Sequence, residues 1–295
     1  MSLEKFYVIG DTHIGRSFTR GVPLHRRGDR EQLFKDKFLD ELKKGELSNT
    51  LGIIMLGDLF DKYRVGFADL LWVVDALNKT KKIIYILAGN HDKSKNKSVI
   101  DNFHLLRRMV GAHVNLIEEK AIAFEIEAQK YLLVPYGAEL PEQGSYYRIY
   151  GHFEDYEYPK VESLIAPGGK AFAGHIHKPE LVGRIERVGS ILPLAFGEEA
   201  KPEMMLTLTK EEIEATPDAW ANKCLRVTGG GELPYNINCL QLIPYKDKED
   251  SQEEDSIDVE VGDYDIEAMF HEALDELGLF EEFYNLYLEG KCLED

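Results

Sequence analysis

Five short apolar runs in this chain end in glycine and are followed at once by side chains that bind metals or handle protons. Residues 6–10 (FYVIG) deliver Asp11 and His13, and residues 53–57 (IIMLG) deliver Asp58 and Asp61. Residues 83–89 (IIYILAG) deliver Asn90, His91 and Asp92. Residues 149–151 deliver His152, and residues 171–174 (AFAG) deliver His175 and His177. Five of the nine histidines therefore sit just beyond such runs, which chance placement of polar turns does not account for. Aspartate, asparagine and histidine, with no CxxC pair, make a hard-to-borderline divalent metal site. There are enough ligands for two ions, and a carboxylate placed centrally can bridge them. Two ions about 3.5–4 Å apart clamp the attacking and leaving oxygens of a phosphoryl displacement and generate hydroxide near neutral pH.

Side chains so far apart in sequence need rigid elements to bring them together. A β-branched, apolar run that stops at a polar turn reads as a buried strand. In open α/β sheets, ligands sit at the carboxyl ends of the strands. The loop over residues 14–28 carries Arg16, Arg20, Arg26 and Arg27, with Arg30 just beyond. Asp29 and Gln32 spell a capping box. The helix they open carries Leu33, Phe34, Phe38, Leu39 and Leu42, and Gly45 is expected to stop it. Residues 67–78 read as a largely buried helix before the third run. The β-α-β-α-β order argues for an α/β core. Lys93, Lys95 and Lys97 form a basic loop after Asp92, and residues 98–109 read as a helix. His104 and His113 fall outside every motif and read as structural. Residues 113–117, 122–126 and 131–135 suggest a second, more antiparallel sheet. Residues 180–188, 204–208 and 237–243 read as further strands.

The chain has 295 residues, more than one typical domain, and 44% hydrophobic residues, normal for a globular protein. No run of 18 apolar residues occurs, so no membrane-spanning helix is expected. Residues 1–11 lead straight into the first strand without a signal-peptide pattern. Cys224, Cys239 and Cys292 make neither a disulfide framework nor a zinc ribbon, which points to a reducing cytoplasm. The net charge of −18 looks hostile to nucleic acid. From Asp247 onward, however, 19 acids face two bases, which leaves 34 acids and 33 bases in residues 1–246. The acidity belongs to a tail and says little about the partners of the body.

Residues 245–256 form a charged linker of low hydrophobicity. Beyond it Ile266, Met269, Phe270, Ala273, Leu274 and Leu277 follow helical spacing, Gly278 breaks the pattern, and Leu279, Phe280, Phe283, Leu286 and Tyr287 make a second stripe. Two short helices cannot bury such stripes by themselves, so they mark a partner surface or a contact with another copy or with the body. The expected division is residues 1–200, the metal-binding domain; 201–246, a short appendage; 247–257, the acidic linker; and 258–295, a helical hairpin.

DTH, GDLFD, GNHD, the single YGH and GHIH stand in the order and context of the calcineurin-like metallophosphoesterases, and residues 5–200 resemble that family. The resemblance implies an α/β fold: a two-sheet sandwich flanked by helices, here with a small β-containing appendage and a C-terminal helical hairpin. It implies two divalent ions, most simply Mn2+, with Asp11, His13 and His177 on the first, Asp58 bridging, and Asn90, His152 and His175 on the second. His91 would act on the phosphate, with Asp61 as its orienting partner. The arginine-rich loop, the form GDLFD, and FAGHIHKPE followed by RVGSILPLAFGEE are similar to the SbcD-type nuclease subunits of double-strand-break repair complexes. That likeness implies DNA as substrate and an SbcC-type SMC-like ATPase docked on the C-terminal helices, with a homodimer as a further expectation and no membrane partner. The larger relatives insert a substantial DNA-capping domain where this chain has residues 201–246 only. Arg16, Arg20, Arg26, Arg27, Lys93, Lys95 and Lys97 are the expected phosphate contacts, since backbone binding needs spaced cations. A small-molecule phosphodiesterase or phosphatase of the same fold is the first alternative. A non-catalytic scaffold is the second, and the complete ligand set speaks against it.

Overall fold

The computed structural model describes residues 4–94, 99–199, 201–229, 233–234 and 237–245. Lys95 and Lys97, the acidic linker, the C-terminal helices and Cys292 lie outside the described residues.

The chain builds a layered α/β sandwich. The first sheet consists of β1 (Phe6–Ile9), β2 (Gly52–Met55), β3 (Ile83–Leu87) and β4 (Val114–Ile117), all parallel and adjacent in sequence order. Three helices cross between them: α1 (Asp29–Leu47), α2 (Phe67–Lys79) and α3 (Asn102–Met109). Alternate strand residues explain the layers. Ile53 and Met55 pack with Phe38 and Leu42 of α1, with Val73 and Leu77 of α2, and with Phe103 and Leu106 of α3. Ile54 and Leu56 point the other way, into a core shared with Tyr131, Leu133, Tyr150 and Phe172 of the second sheet. Each face of β2 is thus apolar, as a strand buried on both sides must be.

The second sheet contains β5 (Ile122–Ile126), β6 (Gln129–Val134), β7 (Tyr146–His152), β8 (Ile165–Gly174), β9 (Glu180–Val182) and β10 (Ile185–Arg187), in the order β5-β6-β7-β8-β10-β9. Its outer face is covered by α4 (Tyr158–Leu164) through Tyr158, Val161 and Leu164. Beyond the sandwich, β11 (Met205–Thr209), β12 (Cys224–Thr228) and β13 (Gln241–Pro244) form a third, parallel sheet, with α5 (Lys210–Ala215) between its first two strands. Ile213, Leu225, Val227, Ile237 and Cys239 make its core. Among the described residues no helix is long and apolar enough to cross a membrane.

Several elements differ from the sequence expectation. Gly45 does not stop α1, which continues to Leu47. A Cβ there would lie 2.7 Å from the Ile53 side chain, so glycine lets the helix lie close on β2. The N-cap of α1 is Gly28, with no side-chain cap, and Asp29 instead pairs with Arg26 at 2.5 Å. Helix α3 begins at Asn102, because Asp101 caps it by accepting the His104 N–H at 3.0 Å. Residues 114–117 complete the first sheet beside β3 and are not part of the second. The second sheet is mostly parallel, with antiparallel pairs only at its two edges, β5 with β6 and β9 with β10. The run 180–188 is a hairpin, folded at Gly183 with φ of 60°. The last described strand begins at Gln241, not at residue 237, and β12 was not anticipated. His104 and His113 are structural, the first against Asp101 and the second against the Leu77 carbonyl at 3.1 Å.

Candidate metal centre

Strands from both sheets end at one place. Asp11 and His13 follow β1, Asp58 follows β2, and Asn90 and His91 follow β3. His152 closes β7, and His175 and His177 follow β8. Close approach is enforced at Gly89, where a Cβ would lie 2.0 Å from Asp58 Oδ1. His13, Asp58 and His175 have φ of 45°, 46° and 82°, in the left-handed region that non-glycine residues adopt at a cost.

The ligand atoms of Asp11, His13, Asp58 and His177 form one cluster, and those of Asp58, His152 and His175 another, each within 4.8 Å. His13 Nε2 and His177 Nε2 are 3.0 Å apart. Asn90 Oδ1 lies 2.9 Å from His152 Nε2 and 3.0 Å from His175 Nδ1. An octahedron with metal–ligand bonds of about 2.1 Å has neighbouring ligands about 3.0 Å apart, so these separations suit a shared cation. One oxygen faces both clusters: Asp58 Oδ2 lies 3.7 Å from His13 Nε2 and 3.5 Å from His152 Nε2.

Three of the four outward ring nitrogens have hydrogen-bond partners, while His13 Nδ1 has none among the described residues. His152 Nδ1 lies 3.0 Å from the Leu56 carbonyl, His177 Nδ1 3.0 Å from Glu198 Oε1, and His175 Nε2 3.1 Å from Glu154 Oε2. With the hydrogen on the outward nitrogen, the inward one is left as a free electron-pair donor, the tautomer a metal requires. Asp11 gives a second measure of fit. It is fully buried, its Oδ2 accepts the His175 N–H at 2.9 Å, and its Oδ1 has no hydrogen-bond partner among the described residues. A buried carboxylate oxygen left bare is costly unless a cation faces it.

The electrostatics agree. Burial pushes the Asp11 carboxyl up and the Asp58 charge adds to this, against His152. Burial alone would raise Asp58, but the charge and hydrogen bond of His152, then His13 and the His91 N–H, hold it well below the ordinary carboxylate range. Burial would lower His152, yet Asp58 and Asp11 raise it to about 9. His177 also moves up, as Glu198 and Asp11 outweigh its burial. Imidazoles drawn toward protonation and a carboxyl drawn toward neutrality report a strongly negative site, which a divalent cation relieves.

A family profile described as calcineurin-like phosphoesterase matches residues 4–182. The chain belongs to that family. No curated protein matches it. The phosphoesterase is accordingly a metal-dependent hydrolase, and both clusters fall within the matched residues.

His91 and Asp61 meet differently from the expected pairing. His91 donates its backbone N–H to Asp58 Oδ1 at 3.0 Å, and its Nδ1 lies 2.7 Å from the backbone carbonyl of Asp61. The Asp61 carboxylate lies 3.5 Å from His13 Nδ1 and 3.1 Å from Arg16, and its ligand oxygen is grouped within 4.8 Å with ring nitrogens of His13 and His91. The basic residues also divide. Arg16 is paired with Asp61, and Arg26 is held by Asp29 and by Asn238 of the segment before β13. Arg20 and Arg27 are exposed, with the Arg20 carbonyl accepting from Gln241 Nε2 at 2.9 Å. Lys93 is half-buried, which lowers its pKa, with Glu118 and Glu119 opposing.

The sequence reading missed three supporting carboxylates. Asp92 is fully buried and accepts the N–H groups of Leu59 at 3.2 Å, Phe60 at 2.9 Å and Gly89 at 2.8 Å, so it ties the loop after β2 to the turn after β3. Burial, then the Asp58 charge, pushes Asp92 up to about 7 against its Phe60 and Gly89 donors. Glu154 orients His175 and accepts from Tyr136 at 3.1 Å, and Glu198 orients His177. Asp92 stood in the GNHD motif itself, and Glu198 in FGEE.

Proposed function

We propose that this phosphoesterase is a Mn2+-dependent DNA nuclease that hydrolyses phosphodiester bonds with two ions, as the nuclease subunit of a recombination and repair complex. The observation that carries the two-ion part is Asp58 Oδ2, which faces both ligand clusters. Asp11, His13 and His177 would hold the first ion, Asn90, His152 and His175 the second, with Asp58 between them. When bound, the ions supply hydroxide near neutral pH and neutralise phosphate charge. His91 does the proton work. Its Nδ1 is fixed on the Asp61 carbonyl, and its Nε2 has no hydrogen bond among the described residues. In its imidazolium form that nitrogen donates to a phosphoryl or leaving oxygen. DNA as substrate is supported by the motif likeness, by a body of near-zero charge, and by Arg27 exposed on the loop after the first motif.

A small-molecule phosphodiesterase is the second reading, favoured by the commitment of Arg16 and Arg26 to Asp61, Asp29 and Asn238. Mn2+-dependent cleavage of linear duplex DNA, measured beside bis-p-nitrophenyl phosphate, separates the two. Turnover of the small ester alone would overturn the nuclease reading. EDTA-resistant turnover of either substrate would overturn the metal mechanism. The C-terminal stripes and their acidic linker support docking onto an SMC-like ATPase. Truncation after Tyr245 should spare metal-dependent cleavage of single-stranded ends and abolish co-purification with that ATPase and any ATP-stimulated cleavage. Unchanged affinity of the truncated protein for the ATPase would refute the partner assignment.

A further inference from the structure

We infer that Arg30 is a positioning residue for the His177 side of the metal centre, and that the third sheet acts on that centre through it. The inference rests on the two-ion reading above, but not on the identity of the substrate.

Arg30 is the largest fully buried side chain among the described residues, 2% exposed, and forms no ion pair with a carboxylate among them. A guanidinium taken out of water without an ionic partner is expensive unless its donors are satisfied. Its two terminal nitrogens are satisfied specifically, while its buried Nε has no hydrogen-bond partner among the described residues. One terminal nitrogen donates to the carbonyls of Pro193 at 3.1 Å and Leu194 at 2.9 Å, and the other to Gln241 Oε1 at 2.9 Å. Its planar face lies 3.7 Å from the centroid of the Phe18 ring, a cation–π contact. Phe18 in turn packs with Phe34 and Leu194.

The two carbonyls lie on the segment that supports His177. Residues 190–199 have no helix and no strand. At its start the segment is tied by the Ile191 N–H on the Asp11 carbonyl at 2.9 Å. At its end the Glu199 carboxylate accepts from Met204 and Met205, at 2.9 and 2.7 Å. Between these ties, the only described hydrogen bonds to the Pro193 and Leu194 carbonyls come from Arg30. The Leu194 N–H then donates to Glu198 Oε2 at 2.6 Å, and Glu198 Oε1 receives His177 Nδ1 at 3.0 Å. From the other side, Gln241 opens β13, and the neighbouring Leu242 N–H donates to the Gly21 carbonyl at 2.8 Å. An unbroken run therefore joins the third sheet to the His177 side of the centre: Gln241, Arg30, the peptide unit formed by the Pro193 carbonyl and the Leu194 N–H, Glu198, His177. Lysine cannot reproduce it, since a single ammonium lacks the planar fork that reaches both sides.

The test is Mn2+ binding by titration calorimetry on the full chain, with hydrolysis of bis-p-nitrophenyl phosphate alongside. Partners of metal-ligating histidines typically change affinity about 10–100-fold when altered. Arg30→Lys should weaken one of the two Mn2+ sites about tenfold and leave the other unchanged. In a Glu198→Gln background the same substitution should add less than about twofold, because the run is already broken at Glu198. If Arg30→Lys fails to fold, Gln241→Met gives the same reading from the sheet end, with a loss of about threefold at the same site. A folded Arg30→Lys or Gln241→Met protein with both affinities at the wild-type level would overturn the inference, as would full additivity with Glu198→Gln. Failure of the wild type to bind two Mn2+ ions would instead overturn the two-ion reading.

Discussion

Asp92 offers the sharpest test of how the centre is held. Replacing it with alanine strands the buried N–H groups of Leu59, Phe60 and Gly89. At the low end of about 1–3 kcal/mol for each buried donor left unpaired, the three amount to about 3–5 kcal/mol. One effect opposes this. Asp92 is raised by burial and then by the Asp58 charge, so its removal relieves a repulsion in the metal-free protein, and the loss there should fall near the lower figure. Asp92→Asn keeps one acceptor oxygen. Turned toward Leu59 and Gly89 it holds two donors and sets its amide against Phe60, at a cost of about 1–3 kcal/mol. Urea denaturation of EDTA-treated protein measures both. Repeating it with Mn2+ reads the site. An affinity loss of about 10–100-fold removes about 1.4–2.8 kcal/mol of metal-linked stabilisation from the alanine variant. The reasoning fails if Asp92→Ala lies within about 0.5 kcal/mol of wild type and gains as much from Mn2+, the range of an ordinary surface substitution.

Four further outcomes are expected. His91→Ala should retain both Mn2+ ions by calorimetry and cut the rate by about 10²–10⁴-fold, whereas loss of metal would remove His91 from its proton role; Asp61→Asn should leave His91 in place, since that link runs through the backbone, and act on His13 and Arg16 instead. For His152, burial is outweighed by Asp58 and the folded value rises to about 9. That is above the unfolded value of about 6.5, so its stabilisation is complete below about pH 6.5 and is lost as pH rises through about 9; the melting temperature of EDTA-treated protein should fall across that window, and less so in Asp58→Asn, while an identical fall in both would contradict the assigned partner. Arg27→Ala should flatten the plot of log affinity for duplex DNA against log salt by about 0.9, and an unchanged slope would place the DNA elsewhere.

The residues that the fold gathers at the candidate centre were legible because each follows a signal of short range, an apolar run closed by glycine. Their carboxylate partners were not. Glu154 reaches His175 and Glu198 reaches His177 across 21 residues each, and nothing local marks such a pairing. The loop after the first motif was misleading for the same reason: Arg26 meets Asn238, 212 residues away, and Arg30 meets Gln241. A count of cations cannot tell a solvent-facing arginine from one spent on a distant sheet. The layered α/β architecture followed from β-α-β order, but β4 was put in the wrong sheet, because a four-residue strand carries no label for its neighbour.

The left-handed backbone at His13, Asp58 and His175 bears on any effort to make this protein more heat-tolerant. Glycine adopts that conformation freely, whereas other residues give up about 1–2 kcal/mol there. Selection for folding alone, in a library screened without metal, would therefore drift toward glycine at these three positions and discard the carboxylate that faces both clusters and two imidazoles. The variants that survive heating best would be the least able to turn over an ester. A consensus or screening campaign must hold residues 13, 58 and 175 fixed, or screen in Mn2+, so that the ion rewards the same side chains that the backbone penalises.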